Sequence, residues 1–236
     1  IIAISTAVAK QFGRFRVSDK VRIVPNAVDA ANFRPGIQAR QAIRGQLGCA
    51  ESEFLVGNIS SYQPGKGLEY FIKAAQDIYL AMPNTRFLVV GFEIAGGRRA
   101  YRESLERASA KAGIRDRFVF WSGRSDIPEI LSALDVFAFS TLREGFGRVV
   151  IEAMASAKPI VAFGSGGVTD IIQDGATGFL VKPADYKGLA VRIVEVLKDK
   201  ELSRRLGQKA LIHAQECFSI ESHISRIQNI YAEVLG

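Results

Sequence analysis

The chain has 236 residues, 48% hydrophobic and 23% charged, which is long enough to bury a core and too apolar for a disordered segment. Only two cysteines occur, Cys49 and Cys217, far apart and without Cys/His ligand spacing, so a disulfide framework and a zinc site are excluded and a reducing compartment is the expectation. Thirty-one Lys and Arg against 24 Asp and Glu leave a net charge of +7, which favours anionic partners: nucleotides, phosphorylated substrates, nucleic acid or acidic lipid.

The apolar start at Ile1 has no basic stretch before it, so it is no signal peptide and reads as part of a longer chain. A strand over 1–5, a following helix and a strand over 21–24 lead into the loop Pro25-Asn26-Ala27-Val28-Asp29 instead of another compact βα unit. Residues 1–20 are therefore assigned to a neighbouring domain. Short Val/Ile/Phe runs then alternate with amphipathic stretches. Strands are predicted over 54–60, 86–91, 118–122, 135–139, 159–163 and 178–181. Helices fall between them over 67–82, 98–113, 127–134, 147–157 and 168–174, the last ended by the turn signal Asp174-Gly175. Three more, over 185–198, 200–216 and 219–235, close the chain. The alternation predicts an α/β fold, a Rossmann-like parallel sheet with helices on both faces. Runs that are apolar throughout are strands buried on both sides. None approaches the roughly 18 residues of a membrane helix.

Ligands of open parallel sheets collect beyond the carboxyl ends of the strands, and three loops qualify. The first, over 140–147, turns through Gly145 and Gly147 into a helix whose first amides lack internal partners and attract oxyanions. Glu144 lies in this loop and Glu152 more than one turn into the helix, on the face of Arg148 and Val149. Two carboxylates displaced along one axis suit two separate diols, those of a sugar and of a ribose. The second loop, over 57–67, carries Lys66, a compact charge able to neutralise a diphosphate without metal. The third, Phe163-Gly-Ser-Gly-Gly167, could cradle an oxyanion. A plainer reading stays open at each: Glu144 favours the helix dipole, Glu152 pairs with Arg148, Lys66 is solvated, and residues 163–167 form a turn. No Asp-x-Asp pair ends a strand and no His/Glu cluster has metal spacing, so no metal is assigned. His213 and His223 fall on terminal helices and read as surface residues.

Glu144-Gly-Phe-Gly147 followed by Glu152-Ala-Met-Ala155 resembles the E-x7-E element of family-four retaining glycosyltransferases of the GT-B fold. The likeness runs through nearly the whole chain. In order it includes Ile4-Ser5-Thr-Ala-Val-Ala9, Val24-Pro-Asn26-Ala-Val-Asp29 with Phe33, and Pro64-Gly-Lys66-Gly67. Residues 135–139, Pro159-Ile-Val-Ala162, Gly166-Gly167 and Asp174-Gly-Ala-Thr-Gly178 follow. In that family two Rossmann-like domains face each other across a cleft, the carboxyl-terminal one holding a nucleotide sugar and the other most of the acceptor site. The resemblance makes 1–20 the last strand and helix of a missing amino-terminal domain, 21–215 the donor-binding domain, and 216–236 a helix crossing back. It implies a UDP or GDP sugar as donor, no cofactor, and metal-independent, retaining transfer of a hexose in glycan or lipopolysaccharide biosynthesis. The isolated segment is expected to bind donor without turnover.

Carried over by position, the family places Glu144 on the donor sugar's hydroxyls, Glu152 on the ribose and Lys66 on the departing diphosphate. The glycine turn with Gly145, Phe146 and Gly147 meets sugar or diphosphate through its amides, Arg148 and Val149 sit beside the nucleotide, and Gly123, Arg124 and Ser125 border the base. One position departs. Family members carry Gly-Arg-Leu before the lysine loop, whereas this chain has Ser60-Ser61-Tyr62, so Ser61 stands where an arginine shares the diphosphate. Arg143 and Arg148 are the nearby candidates to replace that charge.

Two rivals remain: a nucleotide-sugar-binding module without transfer, and an NAD(P)-binding oxidoreductase, which would need a Gly-x-Gly-x-x-Gly turn that the sequence lacks. The basic stretch over 98–117 holds Arg98, Arg99, Arg102, Arg107, Lys111, Arg115 and Arg117 against Glu103, Glu106 and Asp116. It reads as a solvated helix face, or as a contact for an anionic membrane surface near a lipid-linked acceptor, not as a nucleic-acid site. The placement expected is cytoplasmic, peripheral to the inner membrane face.

Overall fold

The computed structural model describes residues 1–14, 20–34, 36–92 and 98–235. The chain begins with β1 (Ile2–Ala3), α1 (Thr6–Ala9), β2 (Arg22–Ile23) and α2 (Ile37–Gln46). Three strand–helix units follow: β3 (Phe54–Ile59) and α3 (Leu68–Ala81), β4 (Thr85–Gly91) and α4 (Arg98–Lys111), β5 (Phe118–Ser122) and α5 (Ile127–Ala133). Next come β6 (Val136–Phe139), α6 (Arg148–Ala155), β7 (Ile160–Phe163) and β8 (Phe179–Val181). The helices α7 (Tyr186–Lys198), α8 (Lys200–Cys217) and α9 (Ile220–Leu235) end the chain.

Six strands form one parallel sheet in the order β5-β4-β3-β6-β7-β8, while β1 and β2 pair separately. The predicted Rossmann-like α/β architecture is present. Successive side chains of a strand point to opposite faces, which decides where each helix packs. Leu55, Ile59, Phe137 and Phe139 join residues of α2, α5, α6 and α8 in one cluster. Val56, Val136 and Ala138 join those of α3, α4 and α7 on the other face. Both faces are covered, so the strands are apolar without alternation.

The helix α2 has no counterpart among the predicted elements. Its core-facing residues are Ile43 and Arg44, the latter 1% exposed, so its inner face shows no continuous apolar period. The Arg44 guanidinium donates to the carbonyls of Ala133 (3.3 Å), Ala50 (2.6 Å) and Glu53 (2.5 Å) and pairs with Asp135 at 3.3 Å. Arg40 donates to the carbonyls of Ser132, Ala133 and Leu134 and pairs with Asp135 at 2.8 Å. Lys158 reaches the Ser132 and Leu134 carbonyls at 2.8 and 3.0 Å. These cations satisfy the orphan carbonyls at the end of α5. Burial, with Arg40 alongside, pushes the Lys158 ammonium down to about 8.

The helix predicted over 168–174 is instead a short 3-10 turn, Gly166–Asp170. Beyond it the Gln173 amide donates to Thr177 Oγ1 and Asp174 bridges to Gly178, so local side-chain bonds hold a turn. Three of the seven basic residues of the stretch over 98–117 are paired with acids. Arg102 meets Glu106, Ser122 and the Phe120 carbonyl, Arg115 meets Glu106, and Arg117 meets Glu53. Arg107 and Lys111 are exposed, and the side chains of Arg98 and Arg99 lie outside the described residues. Among the described residues no helix is long and apolar enough to cross a membrane. His213 is half-buried with its ring edge-on to Phe218, and burial lowers its pKa. His223 Nδ1 meets the Pro25 carbonyl at 2.7 Å, and Arg22 pairs with Glu233, which together tie α9 to the segment around β2.

The loops after β3, β6 and β7 lock together through backbone. Gly67, at φ +64°, lies so close to the loop after β6 that a Cβ there would sit 2.0 Å from the Ser140 carbonyl oxygen. The Leu142 amide donates to the Gly65 carbonyl at 2.9 Å. Gly166, at φ +55°, would place a Cβ 1.9 Å from the Glu144 carbonyl oxygen, and the Gly167 amide donates to that oxygen at 3.0 Å. Ser165 Oγ donates to the Thr141 carbonyl at 2.6 Å. Ser5 Oγ donates to the Gly145 carbonyl at 2.5 Å, so the first residues brace the same loop.

Gly113 is a matched control, since it has φ +74° with open space around it. Gly113→Ala should cost about 1–2 kcal/mol of left-handed strain, whereas Gly166→Ala should cost about 3 kcal/mol or more, because backbone must also move. Urea unfolding measures both; equal losses would contradict the interlock.

Candidate active site

The strand order reverses between β3 and β6, since β4 and β5 extend the sheet one way and β7 and β8 the other. The pairing of β3 with β6 stops at Gly57 and Phe137, two residues short of the ends at Ile59 and Phe139, whereas β3 pairs with β4 as far as Ile59. A crevice at such a reversal, beyond the carboxyl ends of the strands, is where open α/β sheets take their ligands. A cavity of about 350 Å³ opens there, in the range of small-molecule sites.

Seven of the residues singled out in the sequence line this cavity: Ser61, Lys66, Glu144, Gly147, Arg148, Val149 and Glu152. Lys66 Nζ pairs with Glu144 Oε2 at 2.9 Å, and Arg148 pairs with Glu152 Oε1 at 3.6 Å across one turn of α6. The Lys66, Glu144 and Glu152 side chains are 21, 17 and 16% exposed, while Arg148 is 73% exposed and loosely held. Burial raises the Glu152 carboxyl above its ordinary pKa, with Arg148 opposing the shift. The plainer readings of Glu144 as a dipole-favouring residue and Lys66 as a solvated one do not describe this pair.

The helix α6 starts at Gly147, φ +102°, with no side-chain cap and no acidic residue in its first turn. The Val150 amide already donates to the Gly147 carbonyl at 2.9 Å, so the amides that a helix start leaves without intrahelical acceptors are those before it. Buried polar bonds position the lysine loop. Ser140 Oγ donates to the Lys66 carbonyl at 3.2 Å and accepts from Asn58 Nδ2 at 3.1 Å.

Other residues singled out in the sequence do not line the cavity. Phe146 turns into the core against Phe218, and the Gly145 carbonyl is engaged by Ser5. Arg124 lies over the Trp121 ring, 4.3 Å from its centroid, and is bound to Asp126 and Gln46. Gly123 and Ser125 likewise fall outside the lining, although Ile127, just beyond them, is part of it. In the loop over 163–167 the amides of Gly164, Ser165 and Gly167 are spent on the Val181, Phe163 and Glu144 carbonyls, which leaves those three no donor for an oxyanion. Gly166 and Gly167 serve instead the close approach to the backbone of Glu144 and Gly145. Sequence reasoning missed Ile59, Ser60, Phe92, Ile127 and Phe139, which complete the lining. Four of them stand at or just past the carboxyl ends of β3, β4 and β6, a position that would have marked them. Among the described residues no group of three or more His, Cys, Asp or Glu side chains converges.

The chain is 32% identical over 200 residues to a D-inositol 3-phosphate glycosyltransferase of Nocardia farcinica, covering 83% of this chain and 44% of that protein. It is 29% identical to an N-acetyl-alpha-D-glucosaminyl L-malate synthase of Bacillus anthracis, with 82% and 49% covered. It thus spans about half the length of the curated relatives it matches. Among solved structures, Anabaena HepE in complex with UDP-glucose superimposes with a TM-score of 0.91 at 27% identity, covering 98% of this chain and 63% of that one. The carboxyl-terminal domain of LpcC, a glycosyl transferase group 1 protein of Francisella tularensis, does so at 0.72 and 26%, covering 82% and 99%. Because the model of the glycosyl transferases group 1 family matches residues 39–212, this chain belongs to that family.

Proposed function

We propose that the chain is the donor-binding half of a retaining glycosyltransferase, and that the cavity between β3 and β6 holds a nucleoside-diphosphate sugar. The observation that carries this reading is the pairing of Lys66 with Glu144 and of Arg148 with Glu152 around one cavity. Each pair sets a cation for a diphosphate beside an acceptor for hydroxyls. On this reading Lys66 turns to the diphosphate, Glu144 to the sugar hydroxyls and Glu152 to the ribose. Arg148, exposed at the cavity, supplies the positive charge that Ser61 does not. As the diphosphate departs, Lys66 and the first amides of α6 stabilise the developing oxyanion, so transfer needs no metal. Glu144, held by Lys66, is not assigned as a nucleophile. UDP-glucose is the first donor to test because HepE is described in complex with it.

Residues 1–20 belong, on this proposal, to a preceding domain that carries the acceptor site, 21–215 to the donor domain, and 216–236 to a helix crossing back. The exposed Ile1, Ile2 and Ile23, with Tyr231, Val234 and Leu235 of α9, support an apolar contact there. The segment alone then binds donor without transferring it. Contact with an anionic membrane surface stays part of the proposal only through the exposed Arg107 and Lys111, since Arg102, Arg115 and Arg117 are engaged with acids of the chain.

Calorimetry should show the chain binding UDP-glucose, with Glu152→Ala and Lys66→Ala each weakening it by about tenfold or more, the scale of a lost charge-assisted hydrogen bond. Wild-type affinity in both variants would contradict the assignment. Affinity should also fall with pH. The charged carboxylate is the form that accepts from hydroxyls, and the Glu152 pKa is raised, so the loss begins above the ordinary carboxylate range. Glu152→Gln should flatten that profile; a profile unchanged by it would contradict the role.

A further inference from the structure

Ser60 lines the cavity, and its hydroxyl belongs to a chain of hydrogen bonds whose direction is fixed from one end. That end is the Lys66 carbonyl, which only accepts, so Ser140 must donate to it at 3.2 Å. Ser140 is 0% exposed, and with its one proton spent its Oγ can only accept from Asn58. The Asn58 amide nitrogen therefore faces Ser140 at 3.1 Å. Asn58 is also 0% exposed, so no solvent exchange scrambles the order. Its Oδ1 then faces Ser60, and Ser60 Oγ donates to it at 3.0 Å. A serine hydroxyl has one proton and two lone pairs. With the proton turned inward, what Ser60 offers the cavity is acceptor capacity alone.

We propose that Ser60 reads a hydrogen-bond donor of the bound nucleotide sugar, and so sets which end of the ligand lies against the end of β3. This rests on the donor-binding reading above and adds an orientation to it. Sugar and ribose hydroxyls and base N–H groups donate; an ionised diphosphate only accepts and is repelled by lone pairs. The uncharged part of the ligand therefore lies at Ser60, and the diphosphate lies toward Lys66 and the start of α6. Asn58 and Ser140 are positioning residues, since they touch no ligand and act by holding the Ser60 proton inward.

Calorimetry with UDP-glucose and with inorganic pyrophosphate tests this on the wild-type chain, Ser60→Ala and Ser60→Thr. Ser60→Ala should weaken UDP-glucose by about three- to tenfold, the scale of one neutral hydrogen bond, and leave pyrophosphate unchanged. Ser60→Thr keeps the hydroxyl and should restore UDP-glucose affinity. Unchanged UDP-glucose affinity in Ser60→Ala, or an equal loss for pyrophosphate, would overturn the proposal. A wild-type chain that binds neither ligand would overturn the donor-binding reading and this orientation with it, whereas wild-type binding with an indifferent Ser60 would overturn the orientation alone.

Discussion

Two backbone contacts set the shape of the cavity: Gly67 against the Ser140 carbonyl and Gly166 against the Glu144 carbonyl. Each holds two loops closer than any side chain would allow, and each glycine also takes a left-handed conformation. The loops after β3, β6 and β7 therefore behave as one block with the sheet beneath. A site built on such a block orders little on binding, which removes an entropic cost that a mobile loop would carry. Ser5 and the Thr6 amide extend the block toward the start of the chain, donating to the Gly145 carbonyl and to Asp170.

Charge within the cavity is balanced before any ligand arrives. Lys66 and Glu144 are mostly withdrawn from water, where two charges at 2.9 Å attract strongly, while Arg148 is largely solvated and its pair with Glu152 is weak. An anionic ligand thus meets one cation mostly withdrawn from water and one largely solvated. Glu144 keeps Lys66 from being buried unpaired, and both acids stand ready as acceptors once the cations turn to phosphate. The apolar side, with Ile59, Ile127 and Phe139, lowers the local polarity and strengthens each of these interactions.

Much of this was legible in the sequence, and the failures share a cause. Buried strands such as Val136–Phe139 and Ile160–Phe163 are apolar throughout, so their ends are marked and the loops with Lys66 and Glu144 follow. The spacing of Glu144 and Glu152 announced one helix start with two carboxylates. The helix α2 escaped because Arg44 occupies a core position that a reader of hydropathy counts as polar. The bond from Arg124 to Gln46 was not legible for a similar reason, since it is made across the fold and leaves no local signature. The glycines over 164–167 look like an anion cradle locally, yet Gly166 and Gly167 are used for a close approach to the loop carrying Glu144, as the Gly167–Glu144 bond shows.

A crystal structure of the chain with UDP-glucose tests the central claim most directly. The account predicts diphosphate oxygens against Lys66 and the first amides of α6, sugar hydroxyls on Glu144, ribose on Glu152, and the Gly67 and Gly166 contacts unmoved. A ligand bound away from the β3–β6 crevice, or one that enters only after those loops separate, would contradict it.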